Sequence, residues 1–418
     1  MPDLHDVVSD APEAAPAVRA RRRPRRRPRR LAVLVIGLVF LFTPTLAYLS
    51  GVRATEIENR PLAAFPSPSQ GWDFFPAVTT WATDHLPLRG LAVSANARVS
   101  RDVFGEAPPR TTTDSGATGP VAPVPGGRPS EDRTFPAVFA GSDDWLFLGS
   151  DQAAACAPRA PLEQTLAGLE RFGNLLTGAG KTYVLTIAPD KSTASPDRLP
   201  GSYVGDDCAP DSKAAFWERV LDRPLPGYVD LKAPLEQVQE QTGDDLYRPS
   251  DTHWGPRGAL LYAEQVADAL DPALWRTSTP TPTARVRQDG DLAVLLGTPR
   301  QDEMPGWALE RPGVVVRQAA ETALTSTTTD APLWTAPTLI IGDSFTKASL
   351  PQLAPLFADA RIVQPALAAD DTEALVAAVP AADAVVLELV GRSVAAGDLP
   401  ITDPAFLDLL ERALASAG

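Results

Sequence analysis

The last two thirds of the chain alternate short β-branched or aliphatic runs with stretches of helical periodicity, and this alternation restricts the fold more than any other feature. Leu162 to Leu176 has helical spacing, and Lys181 to Ile187 (KTYVLTI) reads as a strand. Leu225 to Leu231 has room for a second strand, and Gly258 to Leu270 is helical again. Further on, Pro337 to Ile341 (PTLII), Ala360 to Val363 and Ala384 to Leu389 read as strands. Between and after them, Leu350 to Phe357, Thr372 to Val379 and Pro404 to Ala415 read as helices. The pattern predicts an α/β domain over residues 135–418, a parallel sheet with helices on both faces. Residues 280–333 break the rhythm and are expected to form an inserted lid or a substrate-facing loop region.

With 418 residues the chain exceeds what a single core usually holds, and its beginning is not core-like. The first thirty residues carry nine arginines (Arg19, Arg21 to Arg23, Arg25 to Arg27, Arg29, Arg30) against Asp3, Asp6, Asp10 and Glu13, a net of +5. The whole chain carries −14, which leaves −19 for the rest, so a basic arm precedes an acidic body. Leu31 to Val52 follows without a charged side chain. At about 1.5 Å per residue it is long enough to cross a hydrocarbon layer of about 30 Å. Flanking arginines keep their side in the cytoplasm, so the expectation is a single-pass anchor over 31–52 with the body outside. A cleaved signal peptide is the competing reading, because the strongest apolar run is only Leu31 to Phe42 and Pro44 to Ala47 resembles a cleavage site. In this position the basic arm reads as a topology signal and not as a nucleic-acid-binding segment. Residues 53–106 read as a helical stalk, and 107–134, rich in Pro, Gly, Ser and Thr, as a disordered linker.

Two cysteines, Cys156 and Cys208, lie in the body, where an oxidising compartment would allow them to pair. The three histidines and the lack of Cys-x-x-Cys or His-x-x-x-His spacing provide no recognisable metal ligand set. The histidines also narrow the search for a general base. His5 precedes the expected span and His85 lies in the stalk, which leaves His253. Its context, SDTHWGPRG (Ser250 to Gly258), sets Asp251 two residues before it and Pro256 at the first turn of a helix. Asp251 is then placed to accept from Nδ1 and leave Nε2 free. The plainer reading is a turn whose Ser and Asp cap a helix. The nucleophile candidate is Ser344 in TLIIGDSFT (Thr338 to Thr346), at the end of an apolar run where open α/β sheets bind ligands. Gly342 permits a tight turn there, although Gly-x-Ser-x-Gly is not completed, Thr346 standing in the last place.

Taken together, ENRPLAAFP (Glu58 to Pro66), TDHLPLRG, SDDWLFLGS (Ser142 to Ser150), APDKS (Ala188 to Ser192), SDTHWGPRG, IGDSF and LELVGRS (Leu387 to Ser393) resemble the alginate O-acetyltransferase family, the AlgJ/AlgX-like proteins. The resemblance implies a circularly permuted SGNH-hydrolase-like domain in which Asp251, His253 and Ser344 form the triad, Asp and His preceding Ser. It implies a polysaccharide acceptor and a multi-pass membrane acyltransferase that supplies acetyl groups from the cytoplasmic side, with no bound cofactor. Trp254, Lys191 and Arg392 are candidate glycan contacts; packing for Trp254 and salt bridges for the two cations are the plainer readings. The same triad would serve an esterase, and a catalytically idle polysaccharide-binding scaffold is the reading from another class.

Overall fold

The computed structural model describes residues 42–43, 46, 50, 65–67, 74–85, 135–397 and 399–417. The basic arm, most of the expected span and stalk, and the linker at 107–134 lie outside the described residues. Among the described residues no helix is long and apolar enough to cross a membrane. The chain divides into two units, residues 1–54 with 63–89 and residues 55–62 with 90–418. In the first, helix α1 (Phe74–Asp84) packs Phe74 and Trp81 edge-on against Phe65, and His85 stacks on Trp81.

The second unit begins with the antiparallel pair β1 (Val138–Ala140) and β2 (Leu146–Leu148), followed by α2 (Gly149–Cys156) and α3 (Leu162–Gly178). Next come β3 (Thr182–Ala188), α4 (Lys191–Ala194), α5 (Ala209–Asp222), β4 (Tyr228–Val229), α6 (Lys232–Thr242), α7 (Pro256–Leu270) and α8 (Pro272–Arg276). An arm of β5 (Thr279–Asp289), α9 (Asp291–Leu295) and β6 (Gln301–Glu310) precedes the hairpin of β7 (Val314–Ala320) and β8 (Ala323–Thr328). The chain then runs through β9 (Thr338–Gly342), α10 (Ser344–Ala348), α11 (Leu350–Leu353), β10 (Asp359–Val363), α12 (Leu367–Asp370) and α13 (Thr372–Ala378). It finishes with β11 (Ala384–Val390), α14 (Gly391–Ala396) and α15 (Pro404–Ala417).

Seven strands form the central sheet in the order β4-β3-β11-β9-β10-β8-β7. The five from β4 to β10 are parallel, while β8 runs antiparallel to β10 and β7 antiparallel to β8. The expected parallel sheet is therefore mixed: a hairpin closed by the two residues Glu321 and Thr322 needs no crossover helix, so it can extend one edge in the opposite sense. Side chains on the central strands alternate between two cores. Ile340 and Val386 face α7 (Ala259, Tyr262, Ala263, Val266), whereas Leu339, Ile341, Val385 and Leu387 face α3, α5 and α15 (Leu169, Phe172, Phe216, Leu410). Burial on both faces explains why these strands read as continuous apolar runs.

Residues 280–333 are not a loop region. They are the β5–β6 arm and the β7–β8 hairpin, and the arm is anchored on both flanks. Met304 and Leu309 of β6 are buried, and the Arg257 guanidinium of α7 lies 4.8 Å from the Trp307 ring. Leu292, Ala293 and Leu295 of α9 form a small core with Ala137, Val138 and Leu146. Cys156 and Cys208, at the end of α2 and just before α5, form a disulfide with Cα atoms 5.5 Å apart.

Candidate functional site

Three parallel strands deliver the polar residues of interest to one edge. β3 ends before Pro189, Asp190 and Lys191; β9 before Asp343 and Ser344; β11 before Gly391 and Arg392. Such an edge, at the carboxyl ends of parallel strands, is where open α/β sheets carry their sites. Asp343 caps α10, its carboxylate accepting from Phe345 N at 2.8 Å and reaching across to Val390 N of β11 at 2.9 Å. Gly342 is needed at this turn, since a Cβ there would fall 2.1 Å from Thr346 Oγ1. Beneath the turn the fully buried Glu388 accepts from Asp343 N, Thr346 N and Thr346 Oγ1 at 3.2, 3.2 and 2.9 Å. Burial, and then the Asp343 carboxylate, push the Glu388 carboxyl well above its usual range, which keeps it neutral.

Asp251 and His253 sit on the loop before α7, both buried. His253 Nδ1 lies 2.8 Å from Asp251 Oδ1, and the same oxygen accepts from His253 N at 2.8 Å. Burial works to raise the Asp251 carboxyl, but the His253 hydrogen bonds and charge, with Arg248 3.3 Å away, outweigh it and hold it down to about 2. An ionised carboxylate can only accept, so Nδ1 donates to Asp251 and Nε2 is the ring nitrogen left facing away from it. Nε2 is buried and has no hydrogen-bond partner among the described residues. The imidazole packs 5.1 Å from the ring of Phe345, the residue that follows the half-buried Ser344.

Of the candidate glycan contacts, two have interior roles. Lys191 is 1 % exposed, and its Nζ donates to the carbonyls of Leu146, Pro249 and Asp251 at 2.7, 2.7 and 2.9 Å while lying 4.7 Å over Trp145. Three carbonyls enclose its Nζ, so Lys191 fastens the Asp251 loop and is not available to a substrate, and burial pulls its ammonium down to about 7. Trp254 is also 1 % exposed; its Nε1 donates to Ser349 Oγ at 2.9 Å and its ring meets Phe345 edge-on at 4.9 Å. It is core, not a sugar platform. Arg392 is half-buried between Phe345, 5.7 Å from the ring centre, and Asp151, 3.5 Å from a carboxylate oxygen. On its far side opens a cavity of about 370 Å³ with Asp151, Asp190, Lys213, Trp217 and Arg392 in its wall. Burial and the Asp190 charge raise the Asp151 carboxyl there to about 6.

Several residues that hold the site carry no motif in the sequence. Asp302 of β6 accepts from Ser250 N and Oγ at 2.8 and 2.7 Å, and Ala293 N donates to Ser250 O at 3.2 Å. Asp291 accepts from Thr252 N at 2.7 Å, and its own N–H donates to Asp251 Oδ2 at 3.2 Å. Gly290 has no room for a side chain, since a Cβ would lie 2.1 Å from Ser250 Oγ. The only hint of these roles is the acidic punctuation of DGD at 289–291, which says nothing of where the arm folds back. Asp251, His253 and Asp291 bring ligand-type atoms within 4.8 Å of one another, but those atoms are engaged in the hydrogen bonds just described.

The fold and its edge define a mixed α/β domain with a buried histidine–carboxylate pair at the carboxyl ends of its parallel strands. Residues 138–357 match the family model described as "SGNH hydrolase-like domain, acetyltransferase AlgX", and the chain belongs to that family. The probable alginate O-acetylase AlgJ of Pseudomonas syringae pv. tomato is 26% identical over 138 residues, which are 32% of this chain and 34% of that protein. The chain thus spans about a third of the length of the curated relatives it matches. Among solved structures, the O-acetyltransferase domain of Pseudomonas putida AlgJ aligns with a TM-score of 0.43 at 19% identity, over 66% of this chain and 99% of that one. Pseudomonas aeruginosa AlgX aligns with a TM-score of 0.39 at 16% identity, over 64% and 66% of the two chains.

Proposed function

We propose that this protein is an exported O-acetyltransferase that places acetyl groups on hydroxyls of a cell-surface or exported polysaccharide through Ser344, His253 and Asp251. The observation that carries the reading is the Asp251–His253 pair, with its Nε2 unpartnered beside the turn that bears Ser344. His253 Nε2 takes the Ser344 proton as Oγ attacks the acetyl carbonyl of the donor. The tetrahedral oxyanion forms next to the Ser344 amide, at the start of α10. On its collapse the donor oxygen leaves with the proton from His253, and acetyl-Ser344 remains. A sugar hydroxyl then gives its proton to His253, attacks the acetyl carbon and departs as the ester, and the proton returns to Ser344. Family membership supports this assignment, as does the order of the three residues, Asp and His before Ser, which accords with a circularly permuted SGNH arrangement.

The Cys156–Cys208 disulfide favours an oxidising, extracytoplasmic setting. Acetyl-CoA is cytoplasmic, so a multi-pass membrane acyltransferase is the partner that fits, and an anchor over 31–52 would hold the domain beside it. Arg392, between the 370 Å³ cavity and Phe345, is the remaining candidate substrate contact.

The test is intact mass spectrometry of the protein after exposure to an acetyl-ester donor. An adduct of about 42 Da, one acetyl group, is expected on the wild type and not on Ser344→Ala or His253→Ala. Turnover without glycan but none to glycan would convert the reading to an esterase. An adduct that survives Ser344→Ala would overturn it.

A further inference from the structure

We propose that Asp291 is a positioning residue for His253, a second carboxylate on the Nδ1 side that stabilises the imidazolium formed when His253 takes a proton. The inference rests on the acyl-transfer reading for its purpose, though not for its geometry. Asp291 Oδ2 lies 3.7 Å from His253 Nδ1, beyond the 2.8 Å contact that Asp251 makes with the same nitrogen. The other Asp291 oxygen is occupied by Thr252 N, so the carboxylate cannot turn away. Two acids therefore flank one ring nitrogen, and the backbone ties between them, Asp291 N to Asp251 Oδ2 and Thr252 N to Asp291 Oδ1, fix the spacing. Burial and then the Asp251 charge push the Asp291 carboxyl up, the mutual cost of two acids that a shared cation relieves.

The charged groups around the imidazole come from every neighbouring element. They are Asp251 and Arg248 of its own loop, Lys191 of α4, Asp291 and Asp302 of the arm, and, across Phe345, Arg392 and Asp343. Arg248 is paired with Asp251 and Asp302 is bonded to Ser250, whereas Asp291 is the carboxylate beyond Asp251 that reaches the ring itself. Because the arm reaches the site from outside the sheet, the residue that adjusts the base is supplied by a different element from the base.

Asparagine is nearly isosteric with aspartate and its carbonyl can still accept from Thr252 N, so Asp291→Asn removes the charge while keeping the brace. The direct measurement is the titration of His253 by NMR of the full chain labelled at histidine, which has only His5, His85 and His253, the last assigned by its loss in His253→Gln. The expected result is a His253 pKa lower by about one unit in Asp291→Asn and close to wild type in Asp291→Glu. No change in Asp291→Asn, or an equal fall in Asp291→Glu, would overturn the proposal. Should Asp291→Asn not fold, Asp251→Asn leaves Asp291 as the ring's one carboxylate. A His253 pKa above the ordinary value of about 6.5 is then expected, and one at or below it overturns the inference. Failure to form acetyl-enzyme would strike the acyl-transfer reading and leave this titration untouched.

Discussion

At the scale of single residues, the site depends on which ionisable groups are charged. Glu388 is fully buried near the carboxyl end of β11, and burial, then the Asp343 charge, keep it protonated, so its contribution is that of a neutral hydrogen-bonding group. Glu388→Gln should therefore change stability by less than about 1 kcal/mol, because the amide can accept from Asp343 and Thr346 as the acid does. Glu388→Ala, which strands three buried donor groups, should cost about 3 kcal/mol or more, and urea unfolding of the two variants at neutral pH separates the cases. The Asp251–His253 relation was legible, since a two-residue spacing before a helix start brings the side chains together locally. Lys191 and Trp254 were not. Sequence reveals that an ammonium and an indole follow or adjoin strand ends, but not that the carbonyls of Leu146 and Pro249 and the hydroxyl of Ser349 come from distant segments to enclose them.

At the scale of elements, the β5–β6 arm is the part whose role was hidden. Its β5 strand, TPTPTARVRQD, is mostly exposed, and nothing in its composition says that α9 and β6 grip the Asp251 loop. The buried strands β3, β9 and β11 could be read because burial on two faces leaves an unbroken apolar run, a signal that needs no knowledge of partners. The arm offers no such signal, since its function lies in contacts to residues forty positions earlier. Gly290→Ala tests that grip. The new methyl must displace Ser250, and with it Asp251, so the variant should lose roughly 1–3 kcal/mol of stability and most of the acetyl-adduct formation. Retention of both would show that the loop can shift without consequence.

At the scale of the whole molecule, two constraints join segments far apart in the chain. The Cys156–Cys208 bond closes a loop across a separation of 52 residues and ties α2 to α5, two helices that wall the cavity beside Arg392. Chain-entropy arguments put the stabilisation at about 4 kcal/mol, so a Cys156→Ser/Cys208→Ser variant should melt lower than the wild type, and reductant should reproduce the effect in the wild type alone. The α/β layering was legible from the alternation of runs. The antiparallel edge was not, because β7 is mostly exposed, β8 is buried at only some positions, and a tight turn instead of a helix separates them.

The second constraint concerns order in time. β11 is the last strand along the chain, yet it lies in the interior of the sheet, hydrogen-bonded to β3 on one side and β9 on the other. β3, which leads to Lys191, and β9, which leads to Ser344, therefore have no direct pairing and cannot be joined until residues 384–390 arrive between them. A polypeptide that leaves the ribosome N-terminus first must wait, its two half-sheets open, while almost the whole length is delivered. Until then the turn that bears Ser344 lacks the Val390 amide and the Glu388 carboxyl that hold it, so its geometry is completed only by the last strand to arrive.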